Sequence, residues 1–252
     1  MLKKRIIPIV LVKDSTTVKG INFNSWRRVG SVTQAIKVFV MRDVDELLLL
    51  DIGASPNNRS LNFSMIEEQA LLCTMPLTVG GGIKSIEDIK RTLKAGADKV
   101  LICSEAVTNH VFVERASKIF GSQCIVVCID VKKNKNGIYS VCSNAGAIVH
   151  DLCPFEYMKT MENLGAGEIV INDIDNDGCM NGYDINLVKK ISGITIPIVV
   201  AGGCGQYEHM SEVLKYENIS GVAAGSIFYF TEKTPKEAKI YLNKQNILVR
   251  KT

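Results

Sequence analysis

The chain has 252 residues, a formal net charge of +4 and 46% hydrophobic content. So mild a charge balance provides no basic face for nucleic acid or an anionic membrane, and a small anionic ligand fits it better. The length is large for one small domain but suits a barrel that folds as one unit. The opening MLKKRIIPIVLV is too short to span a bilayer and has no small-residue cleavage site, so a cytoplasmic protein without a signal peptide is expected. Eight cysteines occupy 73, 103, 124, 128, 142, 153, 179 and 204 without a Cys-x-x-Cys pair, and read as small buried hydrophobes of a reducing compartment. The three histidines (110, 150, 209) have no ligand spacing, so no metal and no cofactor are expected.

Taken in chain order, the first apolar run, 6–12, empties into a long polar loop over 13–31. Further strands are predicted over 47–52, 77–79, 99–103, 124–130, 168–172, 197–201 and 221–224. Between them lie segments such as SIEDIKRTLKAGA and QYEHMSEVLKYEN, with apolar residues at helical spacing. After 124–130, VKKNKNGIYSVCSNAG reads as a hairpin turning at Asn136-Gly137. Strands alternating with helices predict parallel strands joined by crossover helices. Eight such units in about 250 residues match a (β/α)8 TIM barrel, an α/β fold; an open doubly wound sheet of this length would carry fewer strands.

An internal repeat divides this single domain, 1–252, into half-barrels of about 1–121 and 122–252. ELLLLDIGAS from Glu46 matches EIVINDIDND from Glu168, and Asp51 falls on Asp173, both 122 positions on. LTVGGGI matches IVVAGGC, and Ser104 falls on Ser226. LVKD matches DVKK with a shift of 119, which makes Leu11 the mate of Asp130.

Glycine turns after two strands, Gly80-Gly81-Gly82 and Gly202-Gly203, each lead into a helix. Without Cβ atoms, backbone N–H groups can approach an anion, and the paired Ser104 and Ser226 can add hydroxyls. Two matched cradles predict a ligand with a phosphate at each end. At the strand starts, Arg5, Glu46, Lys99 and Glu168 are two bases and two acids able to form a ring. That ring reads either as a structural rim of salt bridges or as a gate over a passage along the barrel axis.

Together, KRIIP, TVKG, LLLLDI, VGGGI, GADKV, FGSQ, IDVK, GAGEI, DIDNDG, GYD and AGGCG make nearly the whole chain resemble the HisF family, the cyclase subunit of imidazole glycerol phosphate synthase. The resemblance implies a heterodimer with a HisH-like glutaminase docked on the strand-start face. Ammonia would pass the gate of Arg5, Glu46, Lys99 and Glu168 to a phosphorylated ligand at the strand ends. It also implies phosphate contacts from Gly82, Ser104, Gly178, Gly203, Gly225 and Ser226, help from Lys19, and Asp51 and Asp177 on the active-site face. Of the family's two general acid/base aspartates Asp130 is present, while Leu11 takes the other place; Cys103 stands where the family has Asn. Leucine carries no proton, so the standard cyclase reaction is expected to be impaired, with Asp14 a remote substitute. The main expectation is therefore a diverged paralogue that supplies ammonia for amidine formation on an activated sugar of a surface polysaccharide such as lipopolysaccharide, beside an ATP-dependent amidotransferase. The alternatives are the histidine-pathway cyclase itself, the sister isomerase of that pathway, and a non-catalytic phosphate-binding scaffold for a glutaminase.

Overall fold

In the computed structural model, residues 3–250 are described. The chain runs β1 (Arg5–Lys13), β2 (Thr16–Ile21), β3 (Asn24–Gly30), α1 (Val32–Met41), β4 (Leu47–Asp51), α2 (Phe63–Ala70), β5 (Leu77–Gly80), α3 (Ile86–Lys94), β6 (Lys99–Ile102), α4 (Ser104–Thr108) and α5 (His110–Phe120). It continues β7 (Ile125–Lys133), β8 (Tyr139–Ser143), β9 (Ile148–Val149), α6 (Pro154–Asn163), β10 (Glu168–Asp173), α7 (Ile185–Lys190), β11 (Ile198–Ala201), α8 (Tyr207–Leu214), β12 (Gly221–Ala224), α9 (Ser226–Phe230) and α10 (Pro235–Lys244). Strands β1, β4, β5, β6, β7, β10, β11 and β12 pair in parallel in that order, and β12 returns to β1 with Arg5 opposite Gly221. This closed ring is a (β/α)8 barrel.

The near-continuous apolar runs follow from burial of both strand faces. Alternate residues Ile7, Leu48, Leu101, Val126, Val170 and Val199 pack along the axis. Their neighbours Ile6, Leu49, Val100, Val127, Ile171 and Val200 pack outward under the helices. The same alternation aims Arg5, Ile9 and Leu11 of β1, and Cys128 and Asp130 of β7, toward the interior. Helix ends follow the local sequence: Ser85 Oγ accepts from Asp88 N at 3.0 Å, and Thr234 and Glu237 form a reciprocal capping box on α10. Among the described residues, no helix is long and apolar enough to cross a membrane.

The expected hairpin at Asn136-Gly137 is β7–β8. The expected loop over 13–31 is instead a second hairpin, β2–β3, continuing antiparallel from β1. Its turns use Asp14-Ser15 and Asn22-Phe23 at positive φ, without the glycine that normally marks such a turn. Of the cysteines, 128, 142 and 204 are buried, 73, 103, 124 and 179 are partly so, and Cys153 is exposed, which corrects the expectation of uniform burial. All eight are free thiols.

Candidate active site

At the strand starts, the four predicted charged residues close into an alternating ring. Arg5 Nη1 donates to Glu46 Oε2 at 2.8 Å, and Arg5 Nη2 pairs with Glu168 Oε1. Lys99 Nζ lies 2.8 Å from both Glu46 Oε1 and Glu168 Oε2. Thr78 Oγ1 also donates to Glu46 at 2.9 Å. Burial pushes the Glu46 carboxyl upward, but Lys99 and Arg5 outweigh it and hold the group below its ordinary value. The ring is net neutral and sits across the axis. Arg5 bridges both acids from a buried position, while Lys99 is the more exposed member.

At the opposite end, strand-end residues surround one cavity lined by Leu11, Lys19, Asp51, Ser104, Asp130, Asp177, Gly225 and Ser226 among others. A smaller adjoining recess is bounded by Gly178, Gly203, Gly225 and Ser226, which brings four of the predicted phosphate residues together. The backbone there has no room for side chains: a Cβ at Gly178 would strike the Gly20 carbonyl, and one at Gly203 the Gly182 carbonyl. Two further glycine turns show the same crowding. A Cβ at Gly81 would meet Asp51 O, and one at Gly202 would meet Asp173 O. Ser104 and Ser226 each open a short helix directly after a strand, α4 and α9.

The first cradle is differently occupied. Gly82 N–H donates to Ser55 Oγ at 3.1 Å, and Gly81, not Gly82, faces the cavity. Ser104 Oγ accepts from Asn144 N at 2.9 Å. Asp51 is held by Arg59, with Nη1–Oδ2 at 2.7 Å and Nη2–Oδ1 at 2.8 Å. Arg59 and Ser55 were not singled out from the sequence, because a loop arginine eight positions after an acid carries no pattern.

Asp130 is 6% exposed at the cavity floor. Asn172 Nδ2 donates to its Oδ1 at 3.0 Å, Cys103 Sγ lies 3.3 Å from Oδ2, and Cys128 Sγ lies 3.7 Å from Oδ1. Burial raises the carboxyl, and these three hydrogen bonds partly oppose the rise. A carboxyl so placed can hold or release a proton nearer neutrality than an exposed aspartate. Leu11 lines the same cavity, and Asp14 is exposed in the β1–β2 turn, outside the cavity-lining set. Neither Asn172 nor Cys128 was legible as a site residue; only the strand alternation, which turns Asn172 inward with Val170, carried a signal.

Lys19 on β2 is buried, donates from Nζ to Ile9 O at 2.7 Å and lies 4.6 Å from the Tyr229 ring centroid. Its ammonium occupies the space a Cβ of Gly225 would need, so it stands against the recess. Burial lowers the Lys19 pKa, and burial raises that of Asp177; their attraction works against both shifts. Phe23 and Trp26 bring the hairpin over the cavity mouth. Asn22 N donates to Asp177 O at 2.8 Å, tying hairpin and β10 loop together.

A closed barrel with carboxylates, a lysine and glycine turns gathered where its strands end is the architecture of a (β/α)8 enzyme. The model of the family described as "Histidine biosynthesis protein" matches residues 5–234. The imidazole glycerol phosphate synthase subunit HisF of Natranaerobius thermophilus is 41% identical over 251 residues, covering 99% of this chain and all of that protein. Those of Clostridium botulinum (strain Langeland) and Bacillus cereus (strain G9842) are 38% and 39% identical over 252 and 251 residues, with the same coverage. The chain belongs to the HisF family.

Proposed function

We propose that the chain is a HisF-type synthase subunit that receives ammonia at its strand-start face from a HisH-like glutaminase and uses it on a phosphorylated ligand at its strand ends. One arrangement carries this reading: a neutral ion-pair ring at one end of the axis, and a cavity holding Asp130 and Lys19, adjoined by a glycine recess, at the other. Ammonia is small and neutral, so an apolar barrel lumen suits it once it has passed the ring. The names of the relatives support the cyclase of histidine biosynthesis as the particular activity, ahead of any other acceptor. In that reading Asp130 moves protons, Lys19 and the Gly178–Gly203–Gly225–Ser226 recess hold one phosphate, and Ser104 with Gly81 flanks the other.

One observation favours a second reading. Leu11 places an apolar side chain where the twofold mate of Asp130 would carry a proton, so a ring closure needing two carboxylates lacks one. An amidine-forming step on another acceptor, with an ATP-dependent amidotransferase doing the activation, avoids that need. Its assignment to surface-polysaccharide sugars rests on the family resemblance alone.

The deciding experiment is a direct cyclase assay with the family's bisphosphate substrate and excess ammonium, run beside Leu11→Asp. Ready turnover by the parent chain establishes the histidine-pathway reading. A silent parent and an active variant establish the second. If both are silent and no glutaminase co-purifies, the synthase reading itself fails.

A further inference from the structure

Neighbouring barrel strands bring Cys103 beside Cys128 and Asp130, which follow it by 25 and 27 positions in the sequence. Cys128 and Asp130 lie on β7, and Cys103 follows β6 directly. The β6–β7 register, with Ile102 opposite Val127, continues to Cys103 beside Cys128. Their sulfur atoms and an Asp130 carboxylate oxygen all lie within 4.8 Å of one another. A tetrahedral centre with metal–sulfur bonds of ≈ 2.3 Å and a metal–oxygen bond of ≈ 2.0 Å sets sulfur–oxygen edges of about 3.5 Å. Here Cys103 Sγ lies 3.3 Å from Oδ2 and Cys128 Sγ lies 3.7 Å from Oδ1, so each thiol stands near that edge length from the carboxylate, each at its own oxygen.

Three further features fit a cation. Among the described residues, Asp130 has no ion-pair partner although it is almost fully buried. Asn172 Nδ2 donates to Oδ1 at 3.0 Å and fixes the carboxylate's orientation, as a supporting hydrogen bond does at metal centres. Cys103, Cys128 and Asp130 all line the cavity, so a fourth coordination position would open toward it.

We infer that Cys103, Cys128 and Asp130 form a three-ligand site for a thiophilic divalent cation of the zinc type. Three protein ligands with one open position is the pattern of a reactive rather than a purely structural zinc site. Two thiolates and a carboxylate favour zinc over magnesium or calcium, which prefer all-oxygen shells. The fourth position takes a water or a donor atom of whatever ligand fills the cavity. The site stands on geometry alone, and because a bound cation would occupy the Asp130 carboxylate, the metal-loaded state and proton transfer by Asp130 exclude each other.

The test uses the full chain, reduced and stripped with a chelator, then titrated with cobalt(II) alone. About one equivalent should bind with a thiolate-to-cobalt charge-transfer band in the near ultraviolet, and zinc(II) should displace it. Cys103→Asn and Cys128→Ala should each abolish the band, and the exposed-site control Cys153→Ser should keep it. X-ray absorption of the zinc-loaded parent chain should give two sulfur neighbours, a reading that survives even if a variant fails to fold. No charge-transfer band at excess cobalt, a band that persists in both variants, or a shell of oxygen and nitrogen only would overturn the site. None of these results bears on glutaminase binding or on cyclase turnover by the metal-free chain.

Discussion

Leu11 and Asp130 occupy equivalent places in the two halves of the barrel: each is an inward-facing residue where its strand begins to pair with an antiparallel hairpin. Leu11 stands opposite Val18 of β2, and Asp130 opposite Cys142 of β8. Only one of the two can exchange a proton. Asp130→Asn keeps the shape and removes the charge, so cyclase-type turnover should fall by roughly 10²–10⁴. Steady-state rates with ammonium, beside a thermal melt, check this; an unchanged kcat would mean the carboxylate only holds the strand ends together.

Lys99 is the ring member best placed to swing aside, since Arg5 alone still bridges Glu46 and Glu168. Lys99→Ala should leave turnover with free ammonium near that of the parent chain and uncouple it from glutamine hydrolysis in the glutaminase complex. The measurement is the ratio of glutamine consumed to product formed. Equal loss of both activities would assign the ring to folding rather than to passage.

The buried ammonium of Lys19 gives a pH signature. Burial is the larger influence and lowers its pKa from 10.5, while Asp177 opposes the shift. The lysine therefore loses its proton below the ordinary lysine range. Its attraction for phosphate is complete at low pH and fades as pH rises through that depressed value. Calorimetric affinity for inorganic phosphate should weaken between neutral pH and pH 10 in the parent chain. Lys19→Met should bind roughly 10–100-fold more weakly at neutral pH, the loss of one charged hydrogen bond, and show a flatter profile. A parallel pH slope in the variant would remove Lys19 from the recess.

Glu162 at the end of α6 ties down the chain before β11. Its Oε1 accepts from Thr195 N and Oγ1, both at 2.6 Å, and from Ile196 N at 3.2 Å. Burial opposes ionisation, but these bonds and Lys159 prevail and bring the carboxyl from 4.5 down to about 2. A depressed carboxyl contributes stability that is present above its unfolded value and lost as pH falls through its folded one. Glu162→Gln keeps the acceptor oxygen and loses the charge, so it should lower the unfolding free energy at pH 7, read from urea titrations, by about 0.5–1 kcal/mol, and the gap should narrow between pH 4.5 and pH 2. A gap that does not change with pH would contradict the charge-based account.

The barrel was readable because each of its strands is a short apolar run closed by a turn or a polar residue. The ring was readable because Arg5, Glu46, Lys99 and Glu168 each open such a run. The β2–β3 hairpin was not, since Asn22-Phe23 adopts a glycine-type turn without glycine, and TTVKGI alternates too briefly to stand out. The surroundings of Asp130 were hidden for another reason. Cys103, just after β6, and Asn172 of β10 reach it from neighbouring strands, and one chain carries no record of which strands become neighbours; Cys128, two positions before it on β7, reads as an ordinary core thiol. Gly82 was expected at a phosphate from the family resemblance, yet Ser55, from a different loop, takes its N–H.

The seam between β1 and β12 has a consequence for how the chain reaches this state. Arg5 finds its partner at Gly221, so the first strand made is among the last to be covered. Until β12 arrives, β1 offers a bare apolar edge for other chains to pair with. Contacts of such long range fold slowly. Refolding yield should therefore drop with protein concentration more steeply than final stability suggests, and a chain cut before β12 should aggregate rather than persist as an open barrel.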